Sequence, residues 1–103
     1  MQTIINSMNI GKAIKELRLE KKLNQSALAE KVELTQTALS QIESGSKRPN
    51  PTTMKKICDF FEIPEAALYL IATEDTDIPE HKRKLYETMF PSIKKAMIDM
   101  LAN

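Results

Sequence analysis

Asn-Gln-Ser-Ala-Leu-Ala-Glu-Lys-Val-Glu-Leu-Thr-Gln-Thr-Ala-Leu-Ser-Gln-Ile-Glu-Ser-Gly, residues 24–45, is the stretch that decides the fold. It holds two short apolar patterns of helical period with a tight turn between them. Leu28, Ala29 and Val32 line one side of the first pattern, and Ala38, Leu39 and Ile42 line one side of the second. Asn24 and Thr35 stand where a side-chain oxygen accepts a backbone N–H of the first helical turn. Glu33-Leu34 forms the turn, and Gly45 supplies the left-handed position that ends many helices. Small Ala29 lets the second helix approach closely. The apolar residues of the second helix leave Gln36, Thr37, Ser40 and Gln41 on its opposite face. A short helix that turns amides and hydroxyls outward is built for reading base edges in a DNA major groove.

Outward from this stretch the helical pattern continues. Ile10, Ala13, Ile14 and Leu17 predict a helix over residues 9–22, with Lys12, Lys15, Glu16 and Glu20 facing water. The two helices of the quoted stretch are expected over residues 25–32 and 36–44. Pro49 and Pro51 break the loop at 46–51. Met54, Ile57, Cys58 and Phe61 form the stripe of a fourth helix over 52–61. A fifth helix begins at Pro64 and buries Ala67, Leu68 and Ile71. Residues 73–78 are acidic and polar and read as a linker. Pro79 opens a sixth helix, Pro91 interrupts or restarts it, and a last helix runs to about residue 101.

Composition sets the bounds. The chain of 103 residues is 42% hydrophobic, enough for one small core. Two Tyr, three Phe and two Gly amid many Leu, Ile, Ala, Lys and Glu favour helices over sheet. No run approaches the roughly 18 apolar residues of a membrane span. Residues 1–8 lack the basic start and apolar run of a signal peptide and read as a flexible lead-in. One cysteine allows no internal disulfide and suits a reducing compartment, so the cytoplasm is expected. Cys58 on an apolar stripe reads as core. His81 stands alone, so neither a metal nor another cofactor is expected. There is no Gly-rich phosphate loop, nucleophile elbow or base–nucleophile pairing, so no catalytic residue is assigned and enzyme activity is not expected. Net charge is only +1. Residues 1–70 carry 10 Lys and Arg against 8 Asp and Glu, and residues 71–103 carry 5 against 6. Affinity for DNA must then come from local placement of charge rather than from a global field.

Residues 10–70 resemble the Cro/cI-type helix-turn-helix domain of phage repressors and xenobiotic-response-element regulators. The matching pieces are Ile10-Gly11-Lys12-Ala13-Ile14-Lys15-Glu16-Leu17-Arg18, Leu23-Asn24-Gln25-Ser26-Ala27-Leu28-Ala29 and Leu39-Ser40-Gln41-Ile42-Glu43-Ser44-Gly45, followed by Lys47-Arg48-Pro49 and Phe61-Glu62-Ile63-Pro64. The resemblance implies an all-α, lambda-repressor-like domain of five helices over residues 9–72. A C-terminal helical segment over 79–103 follows it. It further implies that Gln36, Thr37, Ser40 and Gln41 read bases, that Asn24, Gln25, Lys47 and Arg48 contact phosphates, and that Arg18 and Glu43 form a structural ion pair. The chemistry agrees. A glutamine amide matches adenine bidentately, a threonine methyl can touch that of thymine, and Lys47 and Arg48 bring charge to a loop stiffened by Pro49. One position departs from the family. Glu33 stands where glycine usually meets a positive φ, which costs about 1 kcal/mol and adds an acidic group near the DNA face.

The function expected is a sequence-specific transcriptional regulator, most often a repressor in this family, that binds double-stranded DNA at a palindromic operator as a homodimer. Ile93, Ala96, Met97, Met100 and Leu101 form an amphipathic stripe. Of these, Ile93, Met97, Met100 and Leu101 are the dimerisation candidates. The alternatives are an antitoxin that also holds a toxin protein, or a protein-interaction module that has lost DNA binding.

Overall fold

The computed structural model describes residues 9–102, apart from the side chains at positions 75, 101 and 102. The expected lead-in at residues 1–8 and the side chain of Leu101 lie outside the described residues. Six α-helices follow in order: α1 Ile10–Glu20, α2 Gln25–Lys31, α3 Gln36–Ser44, α4 Pro51–Phe61, α5 Glu65–Ala72 and α6 Glu80–Ala102. A 3-10 turn at Asp75–Asp77 precedes α6, and the described residues contain no strand. The all-α domain with a C-terminal helix is therefore the architecture observed.

The helix starts follow from their capping chemistry. Asn9, Asn24, Thr35 and Asn50 each accept a backbone N–H of the following turn through the side chain. Pro51 occupies the first position of α4, where its missing N–H has no helical partner to lose. Pro64 precedes α5 as its cap rather than lying inside it.

The helix ends share one device. Lys22, Glu33 and Glu62 have φ of 59°, 59° and 58°, and Gly45 has φ of 85°. After each of the three non-glycine residues the next N–H reaches back five residues: Leu23 to Arg18 O, Leu34 to Ala29 O and Ile63 to Cys58 O. This is the hydrogen bond of a Schellman turn, and an apolar residue follows each left-handed one. Leu23 and Leu34 pack against the core, and Ile63 is buried within it. The core rewards the apolar residue strongly enough to hold a glutamate or lysine in a conformation that glycine would take without strain.

One core results. Ile10, Ala13, Ile14 and Leu17 of α1 meet Leu28, Ala29 and Val32, then Leu39 and Ile42, Met54, Ile57, Cys58 and Phe61, and Leu68, Ile71 and Ala72. Ala38 and Ala67, both expected inside, are half-buried. Helix α1 packs against α3, α5 and α6. Its approach to α3 is backbone on backbone. A Cβ on Gly11 would collide with Ile42 O and would lie 2.7 Å from Glu43 O.

The C-terminal segment corrects the expected break at Pro91. Helix α6 runs unbroken through that proline for 23 residues. Proline removes the N–H that would bond to the carbonyl four residues earlier, that of Glu87. Both residues are exposed, so water can satisfy that carbonyl. Tertiary anchors hold both halves in line. Tyr86 Oη donates to Thr73 O at 2.8 Å and Arg83 donates to Ile78 O at 3.0 Å. Beyond the proline, Lys94 Nζ meets Glu16 Oε1 of α1 at 3.1 Å and Ile98 is buried in the core. The acidic stretch before α6 is tied down as well, with Glu74 N donating to Asp77 Oδ2 at 2.7 Å. Among the described residues no helix is long and apolar enough to cross a membrane.

Candidate nucleic-acid interface

Helix α3 presents two opposed arcs. Leu39, Ile42 and Glu43 are buried, whereas Gln36, Thr37 and Ser40 are exposed and Gln41 is half-buried. At about 100° per residue the four polar side chains span about 140° of the helix surface. Thr35 Oγ1 accepts from Ala38 N at 3.0 Å and fixes the entry to this helix.

The start of α2 lies against the start of α3. Ser26 Oγ donates to Gln36 Oε1 at 2.9 Å. Asn24 spends its side-chain oxygen on Ala27 N at 2.8 Å. Gln25 turns inward and Nε2 donates to Glu43 Oε1 at 3.1 Å. The sequence reading assigned Gln25 to phosphate. The structure commits one of its donors to bracing α3 and leaves it half-buried.

Arg18 and Glu43 meet as a two-pronged pair, Nε to Oε2 at 2.8 Å and Nη2 to Oε1 at 2.9 Å. Nη1 of the same guanidinium donates to Leu23 O at 2.8 Å. The two residues are 6% and 8% exposed, so the charges are removed from water and must satisfy each other. Through them α1, the turn after it, α2 and α3 are fixed to one another.

The far end of α3 is also held. Gln41 O accepts from Ser44 Oγ at 3.1 Å, Ser46 Oγ at 3.2 Å and Lys47 N at 3.1 Å. This places the loop with exposed Lys47 and Arg48 directly after the polar helix. Glu33, in the α2–α3 turn, is paired with Lys56 Nζ of α4 at 2.9 Å. Its charge is thus partly offset from within the domain.

Sequence reasoning passed over Ser26 and the inward turn of Gln25. Ser26 meets the first residue of α3 and Gln25 meets Glu43 near its last, so both follow from how α2 lies against α3, which no single helix pattern encodes.

A helix whose core face is packed and whose outer face carries amides and hydroxyls beside a basic loop defines a helix-turn-helix DNA-binding protein. A family model described as helix-turn-helix matches residues 14–68. The chain belongs to this family, the Cro/cI-type DNA-binding regulators. It is similar to the HTH-type transcriptional activator BcrR of Enterococcus faecalis, at 30% identity over 99 residues, covering 92% of this chain and 46% of that protein. It is also similar to the immunity repressor protein of Bacillus phage phi105, at 32% identity over 90 residues, covering 87% of this chain and 60% of that one. The similarity therefore extends past the matched domain into α6. The chain spans about half the length of these relatives. No solved structure matches the chain significantly.

Proposed function

We propose that this DNA-binding regulator recognises a specific palindromic operator as a dimer and represses from it, with α3 in the major groove. The observation that carries the reading is the polar arc of exposed Gln36, Thr37 and Ser40 with half-buried Gln41, on a helix whose opposite face is locked into the core. Asn24, Lys47 and Arg48 flank that arc and hold the phosphates on either side. Gln25 has a second side-chain N–H besides the one given to Glu43, and this remains for a phosphate. Of the two relatives, one is named a repressor and the other an activator, and the sign of regulation proposed follows the repressor.

A palindrome calls for two copies. Helix α6 keeps Leu85, Met89, Ile93 and Met100 at 63%, 52%, 46% and 70% exposure. Met97, by contrast, packs against the chain's own core. The candidate dimer surface is therefore the outer side of α6 through Leu85, Met89 and Ile93, with Met100 beyond them.

Selection from a random duplex pool tests the reading. The expected product is an inverted repeat with half-sites about 34 Å apart. Folded protein that enriches no sequence overturns it.

A further inference from the structure

We propose that Ser26 is a positioning residue for base readout, fixing which way the amide of Gln36 faces and so which base pair Gln36 prefers. The inference rests on the DNA-reading role of α3 proposed above. A glutamine amide is almost symmetrical in shape but not in chemistry. A half-turn about its last torsion exchanges the acceptor oxygen with the donor nitrogen. Each orientation presents the opposite order of donor and acceptor to a base edge, and the four base pairs differ in that order. An amide free to turn can therefore adapt to more than one base pair.

One orientation of Gln36 is favoured by a hydrogen bond to α2. Ser26 Oγ lies 2.9 Å from Gln36 Oε1 and donates to it. The polarity follows from where Ser26 sits. It lies in the first turn of α2, where backbone N–H groups outnumber acceptors. The hydroxyl proton has the Gln36 oxygen as its acceptor there. A turned amide would offer the hydroxyl another donor and leave that proton without this partner. The neighbouring polar groups are committed elsewhere, Asn24 Oδ1 to Ala27 N and Gln25 Nε2 to Glu43. Ser26 is thus the side chain of this turn that is aimed at Gln36. Its donation holds the oxygen on the α2 side and directs both Nε2 donors away from α2. The oxygen keeps a second lone pair, so the amide still accepts and donates, in one fixed order. Both side chains are exposed in the free protein. Expulsion of water on docking to DNA strengthens the bond when it is needed.

The test measures affinity for the selected site and for its single base-pair variants, using the full chain and its Ser26→Ala and Ser26→Thr forms. Ser26→Ala places a better helix former at an exposed position, so folding is retained. Discrimination should fall about three- to tenfold at one base pair, the same one that Gln36→Ala relaxes, and remain unchanged elsewhere. Ser26→Thr, which keeps the hydroxyl, should restore it. An equal loss at every position would mean a phosphate contact and would overturn the inference. So would no change, or a change at a base pair indifferent to Gln36→Ala. Wild-type protein that selects no site at all overturns the underlying DNA reading, and this inference with it.

Discussion

Glu33 and Cys58 show how single residues record the constraints around them. Glu33 pays left-handed strain and gains a pair with Lys56 in which its side chain stays 74% exposed. Such a surface pair contributes about 0–1 kcal/mol. Glu33→Gly should therefore raise the melting temperature by a few degrees, the equivalent of roughly 1 kcal/mol for a domain of this size. A lower melting temperature in a calorimetric scan would refute this. Cys58 is buried, and burial first, then the nearby charges of Glu65 and Asp59, push its thiol up to about 11 from 9.0. The thiol is neutral in the native state at neutral pH and should resist alkylation until the protein unfolds. The raised value has a second effect. The unfolded chain ionises this group from about pH 9 and the folded one does not, so its contribution to stability is lost as pH rises through 9 toward 11. At the proposed reading face, Gln36→Ala should cost about 1–3 kcal/mol on the selected site and relax one base pair. Arg48→Ala should instead weaken all sequences alike and flatten the salt dependence. Equal losses for Gln36→Ala on operator and random duplex would remove Gln36 from the reading face.

At the scale of elements, helix positions were legible in the sequence because local chemistry sets them. Asn24 and Thr35 cap the helices that follow them, and Gly45 ends α3 in the left-handed conformation. Alternation around each helix also placed Leu28, Leu39, Ile57 and Phe61 in the core. What stayed hidden depends on two elements at once. Gly11 gives no helical signal of its own, yet α3 lies where its Cβ would be. Gln25 reads as a surface residue until Glu43 is brought beneath it. Ser26 becomes informative only when the start of α3 is beside it. Pro91 misled for the converse reason, since its local cost is met by anchors far away in sequence. The braces between helices can be tested directly. Arg18→Ala leaves Glu43 buried and unpaired and should cost about 3–5 kcal/mol. The double change Arg18→Met with Glu43→Leu should lose less than that single change, as read by urea denaturation. Gly11→Ala should be more damaging than its helix propensity suggests, because the backbones of α1 and α3 must separate to admit one methyl.

Over the whole molecule, α6 carries two different faces. Ile98 is 7% exposed and closes the core, whereas Leu85 and Met89 stand in solvent. The two faces give separable outcomes. Ile98→Ala should destabilise the fold by about 2–4 kcal/mol. Met89→Glu should leave the unfolding free energy of the monomer within about 0.5 kcal/mol of the wild type, as surface changes do. It should also abolish the proposed dimer in sedimentation runs. A wild-type protein that sediments as a monomer at concentrations that saturate its operator would remove α6 from the assembly. Helix α1 lies between α6 and α3, touching the first through Glu16 and the second through Gly11 and Arg18. None of its neighbours can detach without exposing it, and it cannot leave while they remain. In deuterium exchange the amides of α1 should therefore be the slowest, released only when the entire molecule opens. Those around Pro91 in α6, where the helix ladder is already incomplete, should be among the fastest. On that expectation helix α3 is mounted on the last part of the protein to come apart, and its orientation should outlast local fluctuations at the outer surface.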